Sequence, residues 1–333
     1  MATMHDVAAL AGVSITTVSH VINETRSVAP ATRRRVLDAI DATGYTGNAI
    51  ARSLVTGGTK SLGVAMPVMA NPYFAELIHA IESEASAAGY TVLLGDTLDE
   101  AEASRAAVRT LHARRVDGVL LTPSPGDTDA LEALSRAGIP TVLVDRISHR
   151  TKLDQVGPEN IQSTSALVSH VAGLGHQRIG FISGAEWITS NEERTLGYRL
   201  GLGRAGLPFD ASLVASGGAS ADSARLALRK LLTMDPRPTA VLTGNCTMTA
   251  GVLKEARAQG VRIGVDLALA GHDETDWADL VDPPLTTMAH PVEDIGRQAV
   301  RMLVARIKDP ERAPEIAHQP PVLVHRASCG CRA

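Results

Sequence analysis

The sequence predicts a small all-α head followed by an α/β body of two doubly wound parallel-sheet lobes. Three observations carry that prediction. Residues 4–44 hold three short amphipathic helical patterns, the first two separated by a glycine-containing break. From about residue 60 the rhythm changes to apolar strand-like runs alternating with amphipathic helical stretches, in two consecutive sets. The chain has 333 residues, too many for one ordinary core. The expected boundaries are 1–47 for the head, 48–59 for a linker and 60–333 for the body. Lobe one should take about 60–157 and 290–318, and lobe two about 158–289 and 319–330.

A hydrophobic content of 44% with 20% charged residues describes a soluble globular chain rather than a disordered one. Three Phe, four Tyr and two Trp are all the aromatics, so Ala, Val, Leu and Ile must build the cores. No 18-residue apolar run is present, and MATMHDVAALAGVS lacks a basic segment followed by an apolar one. A cytoplasmic location with no membrane contact is therefore expected, and three cysteines agree with a reducing compartment. Two thiols, Cys329 and Cys331, cannot alone complete a tetrahedral zinc site, so they are expected to be free. Neither a metal nor any other cofactor is predicted.

The net charge of −4 argues against nucleic acid until it is divided. Residues 1–60 carry six basic side chains (Arg26, Arg33, Arg34, Arg35, Arg52, Lys60) against four acidic ones (Asp6, Glu24, Asp38, Asp41), an excess of two positive charges. The remainder is acidic. A basic head on an acidic body is the asymmetry expected if only the head meets phosphate.

In the head, Met4 to Ala11 places Val7, Leu10 and Ala11 on one face. Gly12-Val13 breaks the pattern, and Ser14 is a suitable N-cap for a second helix at about Ile15–Ile22, with Val18 and Ile22 inward. A third helix starts at Pro30 and runs through Val36, Leu37 and Ile40 to Gly44. Two helices joined by a tight glycine turn, the second with short polar residues outward, follow helix-turn-helix logic. A three-helix bundle with a polar surface fits the same pattern.

DVAALAGVSITTVSHVIN and VAPATRRRVLDAIDATGYTGNAIARSLVTG resemble the DNA-binding head of the lactose-repressor (LacI/GalR) family. The resemblance implies double-stranded operator DNA as a partner, with Ile15, Thr16 and His20 at base-reading positions and Thr3, Thr17, Ser19, Asn23 and Thr32 at phosphate positions. His20 stands where the family commonly carries a guanine-reading Arg, and Ala29 where a Ser cap is usual. The segment from Asn48 to Leu54 is too short to be a stable helix alone. In the resembled family it is a hinge helix that folds on DNA, which would place Asn48, Ala51 and Leu54 at the minor groove, with Leu54 as the wedge. Docking of Leu54 on the body is the alternative.

In the body, parallel sheets bind ligands outside the carboxyl ends of their strands. The residues just past the expected strands are Asn71–Phe74, Asp145-Arg146, Gly184–Trp187, Gly244-Asn245 and His272-Asp273. Planar polar groups mixed with aromatics suit a sugar-type ligand. NPYFAELIHAIE, LGHQRIGFISG, AVLTGNCTMTAG and DPPLTTMAHPVEDIG resemble blocks of the family's periplasmic-binding-protein-like body. By that resemblance Tyr73, Phe74, Asp145, Ser190, Arg194, Asn245 and Asp273 are effector contacts. Trp187 and Trp277 are ring-stacking candidates, because Ala219 replaces an aromatic found in sugar-binding relatives. Asp145 could instead cap a helix or pair with Arg146, and Tyr73–Phe74 could be lobe packing.

The expected protein is a repressor with a small-molecule effector, a carbohydrate, between its lobes. It should be a homodimer, since no heptad helix follows the last strand. A cytoplasmic sugar-binding protein on the same body, with no DNA function, is the alternative. An enzyme is not expected: there is no nucleophile elbow or HExxH. Gly201-x-Gly203-x-x-Gly206 spells a dinucleotide fingerprint but ends a helix instead of following a strand. The wedge assignment predicts that Leu54→Ala keeps effector affinity and strongly weakens operator binding. Unchanged DNA affinity in a gel-shift titration removes the wedge.

Overall fold

A computed structural model describes residues 2–23, 26–45, 58–67, 71–148, 151–218 and 220–331. The chain divides into two compact units, Met1–Lys60 and Ser61–Ala333.

The first unit contains α1 (Met4–Ala11), α2 (Ile15–Asn23) and α3 (Pro30–Thr43). Thr3 and Asp6 form a capping box: the Thr3 hydroxyl accepts from Asp6 N at 3.4 Å, and the Asp6 carboxylate accepts from Thr3 N at 2.8 Å. Gly12 ends α1 at φ +62, the left-handed region where a side chain would be strained. Ser14 Oγ then accepts from Thr17 N at 3.1 Å and starts α2. The chain axis turns by 105° between the two helices. Ala29 offers α3 no side-chain cap, and Pro30 opens the helix instead.

The core of this unit corrects part of the helical phasing. Val7, Ala8, Ala11, Val18, Val21, Val36 and Ala39 are its buried apolar residues. Leu10 is 59% exposed and Leu37 41% exposed, while Ile22 and Ile40 pack at the margin. Helix α1 touches both of its neighbours, so its inward arc widens to take Ala8 and rotates away from Leu10. No single helix among the described residues is long and apolar enough to cross a membrane.

The second unit contains two six-stranded sheets with the same strand order. Lobe one has β1 (Ser61–Met66), β2 (Thr91–Asp96), β3 (Gly118–Leu121), β4 (Thr141–Val144), β5 (Asp154–Pro158) and β11 (Ile316–Gln319), in the order β11-β5-β4-β3-β1-β2. On one face Tyr73, Leu77 and Ile81 of α4 (Pro72–Ala87) join Ile295, Ala299 and Leu303 of α11 (Val292–Lys308) over Leu62, Val64 and Leu120. On the other, α5 (Ala101–Ala113) and α6 (Thr128–Arg136) cover Ala65, Val119, Leu121 and Leu143. Strands buried on both faces read as continuous apolar runs, which is why GVLL and TVLV are legible. Each such Leu or Val contributes about 1.5–3 kcal/mol by leaving water.

Lobe two repeats this order with β6 (Ile179–Gly184), β7 (Val214–Gly218), β8 (Ala240–Thr243), β9 (Ala268–His272), β10 (Thr286–Ala289) and β12 (Val322–Val324), as β12-β10-β9-β8-β6-β7. Helices α7 (Ile161–Gly173) and α8 (Thr189–Arg204) cover one face, and α9 (Ala221–Leu232) and α10 (Cys246–Ala258) the other. All pairings are parallel except β10 with β12. The chain passes between lobes three times, at Glu159-Asn160, His290-Pro291 and Pro320-Pro321.

Five elements have no counterpart in the sequence reading: β5, β10, β11, β12 and α11. Strand β5 is DQVGP, with Asp154 and Gln155 wholly buried, so it shows no apolar signature. Its burial is made tolerable from outside, by Arg306 of α11 donating to Asp154 at 2.9 Å.

Among the glycines of the apparent dinucleotide fingerprint, Gly201 serves helix packing and Gly206 the turn after the helix. A Cβ at Gly201 would meet Val168 Cβ at 2.6 Å, and Gly206 takes φ +70 just past α8. Gly197 is tighter still: a Cβ there would lie 2.4 Å from the Ile161 carbonyl oxygen, which is backbone and cannot swing aside. Gly197→Ala is therefore predicted to force α7 and α8 apart and cost about 1–3 kcal/mol. Urea unfolding measures this, and an unchanged midpoint contradicts the close approach.

Candidate functional site

Two surfaces concentrate polar chemistry, one on each unit. On the first unit, Val18 and Val21 fix the inward side of α2. Residues advance by about 100° along a helix, so Thr16, Ser19, His20 and Asn23 occupy the opposite arc. Ile15 and Thr16 are exposed; Thr17, Ser19, His20, Asn23 and Thr32 are half-buried. Several of the hydroxyls have local partners: Thr17 Oγ1 lies 2.9 Å from Ser14 Oγ, Ser19 Oγ accepts from Asn23 Nδ2 at 3.2 Å, and the Thr3 hydroxyl donates to Asp6 at 2.8 Å. Beside this arc His20, Arg26, Ser27 and Arg33 line a concavity of about 310 Å³. Arg34 and Arg35 are exposed on α3. The result is a convex helix rimmed by cations and short hydroxyls, a shape that fits a groove flanked by phosphates. Asn48, Ala51 and Leu54 lie outside the described residues.

On the second unit a cavity of about 70 Å³ lies between the lobes, lined by residues that follow strands at their carboxyl ends. Tyr73, Phe74 and Asp145 line it from lobe one, and Ser190, Arg194, Asn245 and Asp273 from lobe two. Asp145 follows β4 and Asp273 follows β9, at equivalent places in the two sheets. Both take positive φ, +73 and +69, and each amide donates across to the neighbouring strand, to Val156 O and Met288 O. The sharp backbone turn is thus held by the sheet itself, and it sets each carboxylate into the cleft.

Arg194 is buried and donates to Asn160 Oδ1 at 2.9 Å and to the Gly244 carbonyl, with Nη2 3.3 Å from His290 Nε2. His290 Nε2 is also 3.3 Å from Asp273 Oδ1. Asp273 accepts from Cys246 N at 3.1 Å and, across the lobes, from Asn71 Nδ2 at 3.1 Å. Burial pushes the Asp273 carboxyl up, but His290, the Arg194 charge and Asn71 together hold it well below the usual carboxylate range. His272, buried and facing the same guanidinium, is pushed far below its ordinary value. In lobe one, Arg146 forks onto Asp99 at 2.5 and 2.9 Å and sits 3.8 Å from Asp145. Burial raises the Asp145 carboxyl despite Arg146 and Arg194.

Two buried donors face Asp145. The Tyr73 hydroxyl and Arg146 Nε make no hydrogen bond of ordinary length, and Arg146 Nε lies 3.8 Å from the Asp145 carboxylate. Burial first, then Asp145, pushes the phenol far above its usual range, so it remains a donor. A buried donor without a good acceptor costs about 1–3 kcal/mol.

Neither tryptophan lines this cavity. Trp187 is 69% exposed on the loop between β6 and α8, where Ile188 turns inward instead. Trp277 packs against the core of lobe two beneath α9 and α10. Following a strand end brings a residue near the cleft, but the loop's course decides which way it faces. Asn245 caps α10, its Oδ1 accepting from Met248 N at 2.8 Å. The sequence reading missed Asn160 and His290, because they sit on lobe crossings beside β5 and β10. An Asn or His just before a helix after a Thr-rich or Gly-Pro stretch was the available signal.

Residues 3–48 match the family described as bacterial regulatory proteins, lacI family, and residues 168–329 match a periplasmic binding protein-like domain. A relative from Photobacterium profundum, HTH-type transcriptional repressor PurR, is 36% identical over 98% of both chains. Among solved structures, the lac repressor dimer bound to operator and the anti-inducer ONPF aligns at a TM-score of 0.87 and 29% identity, over 98% of this chain and 99% of the other. A transcriptional regulator CelR–cellobiose complex aligns at 0.76 and 31% identity, over 98% and 100%.

Asn71 is the direct link between the lobes at this site, and its Oδ1 also caps α4 by accepting from Tyr73 N at 3.0 Å. Asn71→Asp keeps that cap and turns the contact with Asp273 into repulsion. The closed form loses a charge-assisted hydrogen bond worth about 1.5–3 kcal/mol, so the body should open. Small-angle scattering reads this as a larger radius of gyration; an unchanged radius shows that Asn71 does not hold the lobes.

Proposed function

The chain belongs to the lacI family of bacterial regulatory proteins, and from that premise we propose that it is a homodimeric repressor whose operator affinity is set by a carbohydrate held between the lobes. It is a DNA-binding transcriptional regulator under the control of a small ligand, and it is not an enzyme. In this reading residues 1–47 are the operator-binding head, 48–59 the linker and 60–333 the sensor. Ile15, Thr16 and His20 read bases; Thr3, Thr17, Ser19, Asn23 and Thr32 hold phosphates. His20 makes one hydrogen bond where an Arg makes two, which shifts the preferred operator away from a guanine at that position. The operator-bound dimer among the solved structures supports the pairing of two heads on a near-palindromic site.

The observation that carries the carbohydrate reading is the trio of Tyr73 hydroxyl, Arg146 Nε and Asp145 carboxylate, two donors without a hydrogen bond of ordinary length facing one buried acceptor. A ligand hydroxyl accepts from the first two while donating to the third, which no purely accepting or purely donating group does. The fork of Arg194 and the carboxylate of Asp273 repeat that pairing in lobe two. The cellobiose complex of a regulator 31% identical supports the same ligand class.

The cavity of about 70 Å³ is too small for such a ligand, since small-molecule pockets run to about 300–1,000 Å³. The lobes therefore have to part for binding. A ligand that prefers the opened arrangement shifts the balance of states, and the linker carries that shift to the paired heads.

A thermal-shift panel of sugars, sugar acids and nucleosides, followed by calorimetry, identifies the effector. Sugars should stabilise the chain; a response confined to nucleosides overturns the carbohydrate class. Asp145→Asn should weaken binding at least tenfold, about 1.4 kcal/mol. Because burial raises the Asp145 carboxyl, wild-type affinity should fall on acidification at a higher pH than an ordinary carboxylate would dictate, and Asp145→Asn should lose that dependence. Footprinting on the gene's own promoter across a salt series tests the head. Ligand binding without salt-sensitive DNA binding favours a plain sugar-binding protein.

A further inference from the structure

Far from the strand ends that line the cleft, four ligating side chains of lobe two converge. His170 of α7, His325 just after β12, and Cys329 and Cys331 bring one imidazole nitrogen or thiol sulfur each to within 4.8 Å of all the others. His170 Nε2 lies 3.4 Å from Cys329 Sγ, His325 Nε2 2.8 Å from Cys331 Sγ, and the two sulfurs are 3.0 Å apart. The imidazole rings meet edge to face at 4.9 Å. We propose that these residues form a Cys2His2 site for a structural zinc ion.

The backbone builds this arrangement. Gly330 takes φ +81, which turns the chain so that the thiols on either side of it fall together. The preceding short turn is fixed by Ser328, whose hydroxyl donates to Leu269 O at 2.6 Å and accepts from Thr286 N at 2.8 Å. Cys329 is wholly buried, while His325 is exposed and Cys331 half-buried. Two of the ligands are thus placed by the core of lobe two, and the other two close over them.

The geometry and donor set suit zinc. Zinc–sulfur bonds of about 2.3 Å and zinc–nitrogen bonds of about 2.0–2.1 Å give a tetrahedron with edges of about 3.3–3.8 Å. The His170–Cys329 edge already has that length, and the two shorter edges both involve Cys331, near the exposed end of the cluster. Two thiolates with two imidazoles select zinc over magnesium or calcium, which take oxygen ligands. Four protein ligands leave no open coordination position, so the site is structural. The ion would clamp residues 325–331 to α7, the helix whose opposite end presents Thr164 to His272 at 2.9 Å. The expectation of free tail thiols counted two ligands because the sequence separates His170 from Cys331 by 161 positions, and only the fold unites them.

The full chain, purified under reducing conditions without a polyhistidine tag, should contain close to one zinc per chain by elemental mass spectrometry. Replacement by cobalt(II) should give tetrahedral d–d bands and thiolate-to-cobalt charge-transfer absorption. His325→Ala and Cys331→Ser, at the accessible side of the cluster, should lose both signals and remain folded by circular dichroism. Chelation should lower the melting temperature of the wild type and leave His325→Ala unmoved. A folded wild type that takes up neither zinc nor cobalt overturns the proposal. So does an intact mass lower by two hydrogens under reducing conditions, which identifies a Cys329–Cys331 disulfide.

Discussion

Arg194 is buried, and among the described residues its guanidinium makes no direct salt bridge. Removing such an ion from water costs several kcal/mol even after relaxation, so its surroundings must repay that through oriented dipoles and nearby charge. The Asn160 amide oxygen, the Gly244 carbonyl and the His290 ring do so directly, while Asp273 and Asp145 act through space. Several polar groups of the cleft are linked through this arrangement. His290 is shared between Arg194 and Asp273, Asp273 holds Cys246 and Asn71, and Asn71 caps the first helix of the body. The body therefore closes around a positive charge that has carboxylates near it but none bonded to it.

The same arrangement explains which parts of the protein could be read from the sequence. Strands β3, β4 and β8 and helix α9 are legible because burial on both faces, or on one clean stripe, writes itself into apolar periodicity. Strands β5 and β10 are not, because their buried residues include Asp154, Gln155, Thr286 and Thr287, polar side chains satisfied by partners outside the strands. In the head, short helices with alanine contacts left Leu10 and Leu37 outside. Periodicity locates a helix reliably, whereas its rotation depends on neighbours that the local pattern does not contain.

The candidate site divides along the same line. Residues at the ends of apolar strands, such as Asp145 and Asp273, follow from finding the strand and moving one position on. Asn160 and His290 sit at the ends of strands that have no apolar signature, so they stay hidden until the fold is known. The tryptophans lie outside the closed cavity for another reason: a strand end fixes where a loop begins, not the direction in which its later side chains face. The Cys2His2 cluster is the extreme case. Its spacing contains only His325-x-x-x-Cys329-x-Cys331, and the fourth ligand comes from a helix whose pattern is otherwise that of ordinary core packing.

Asn160 and His290 also lie on two of the three segments where the chain passes between lobes. Arg194 thus bonds to the ligand cavity's backbone at Gly244 and to two of the points about which the lobes must move. Any ligand that recruits the guanidinium competes for donors that now hold those crossings. It would alter how the crossings are held without having to touch them, and a fork with a fixed number of N–H groups makes the exchange stoichiometric. A cavity too small for the ligand and a charge bonded to the crossings are then two aspects of one constraint. Under the proposed function, the closed state satisfies Arg194 with protein groups and an opened state would satisfy it with ligand, so the free-energy difference between them is what such a sensor could transmit.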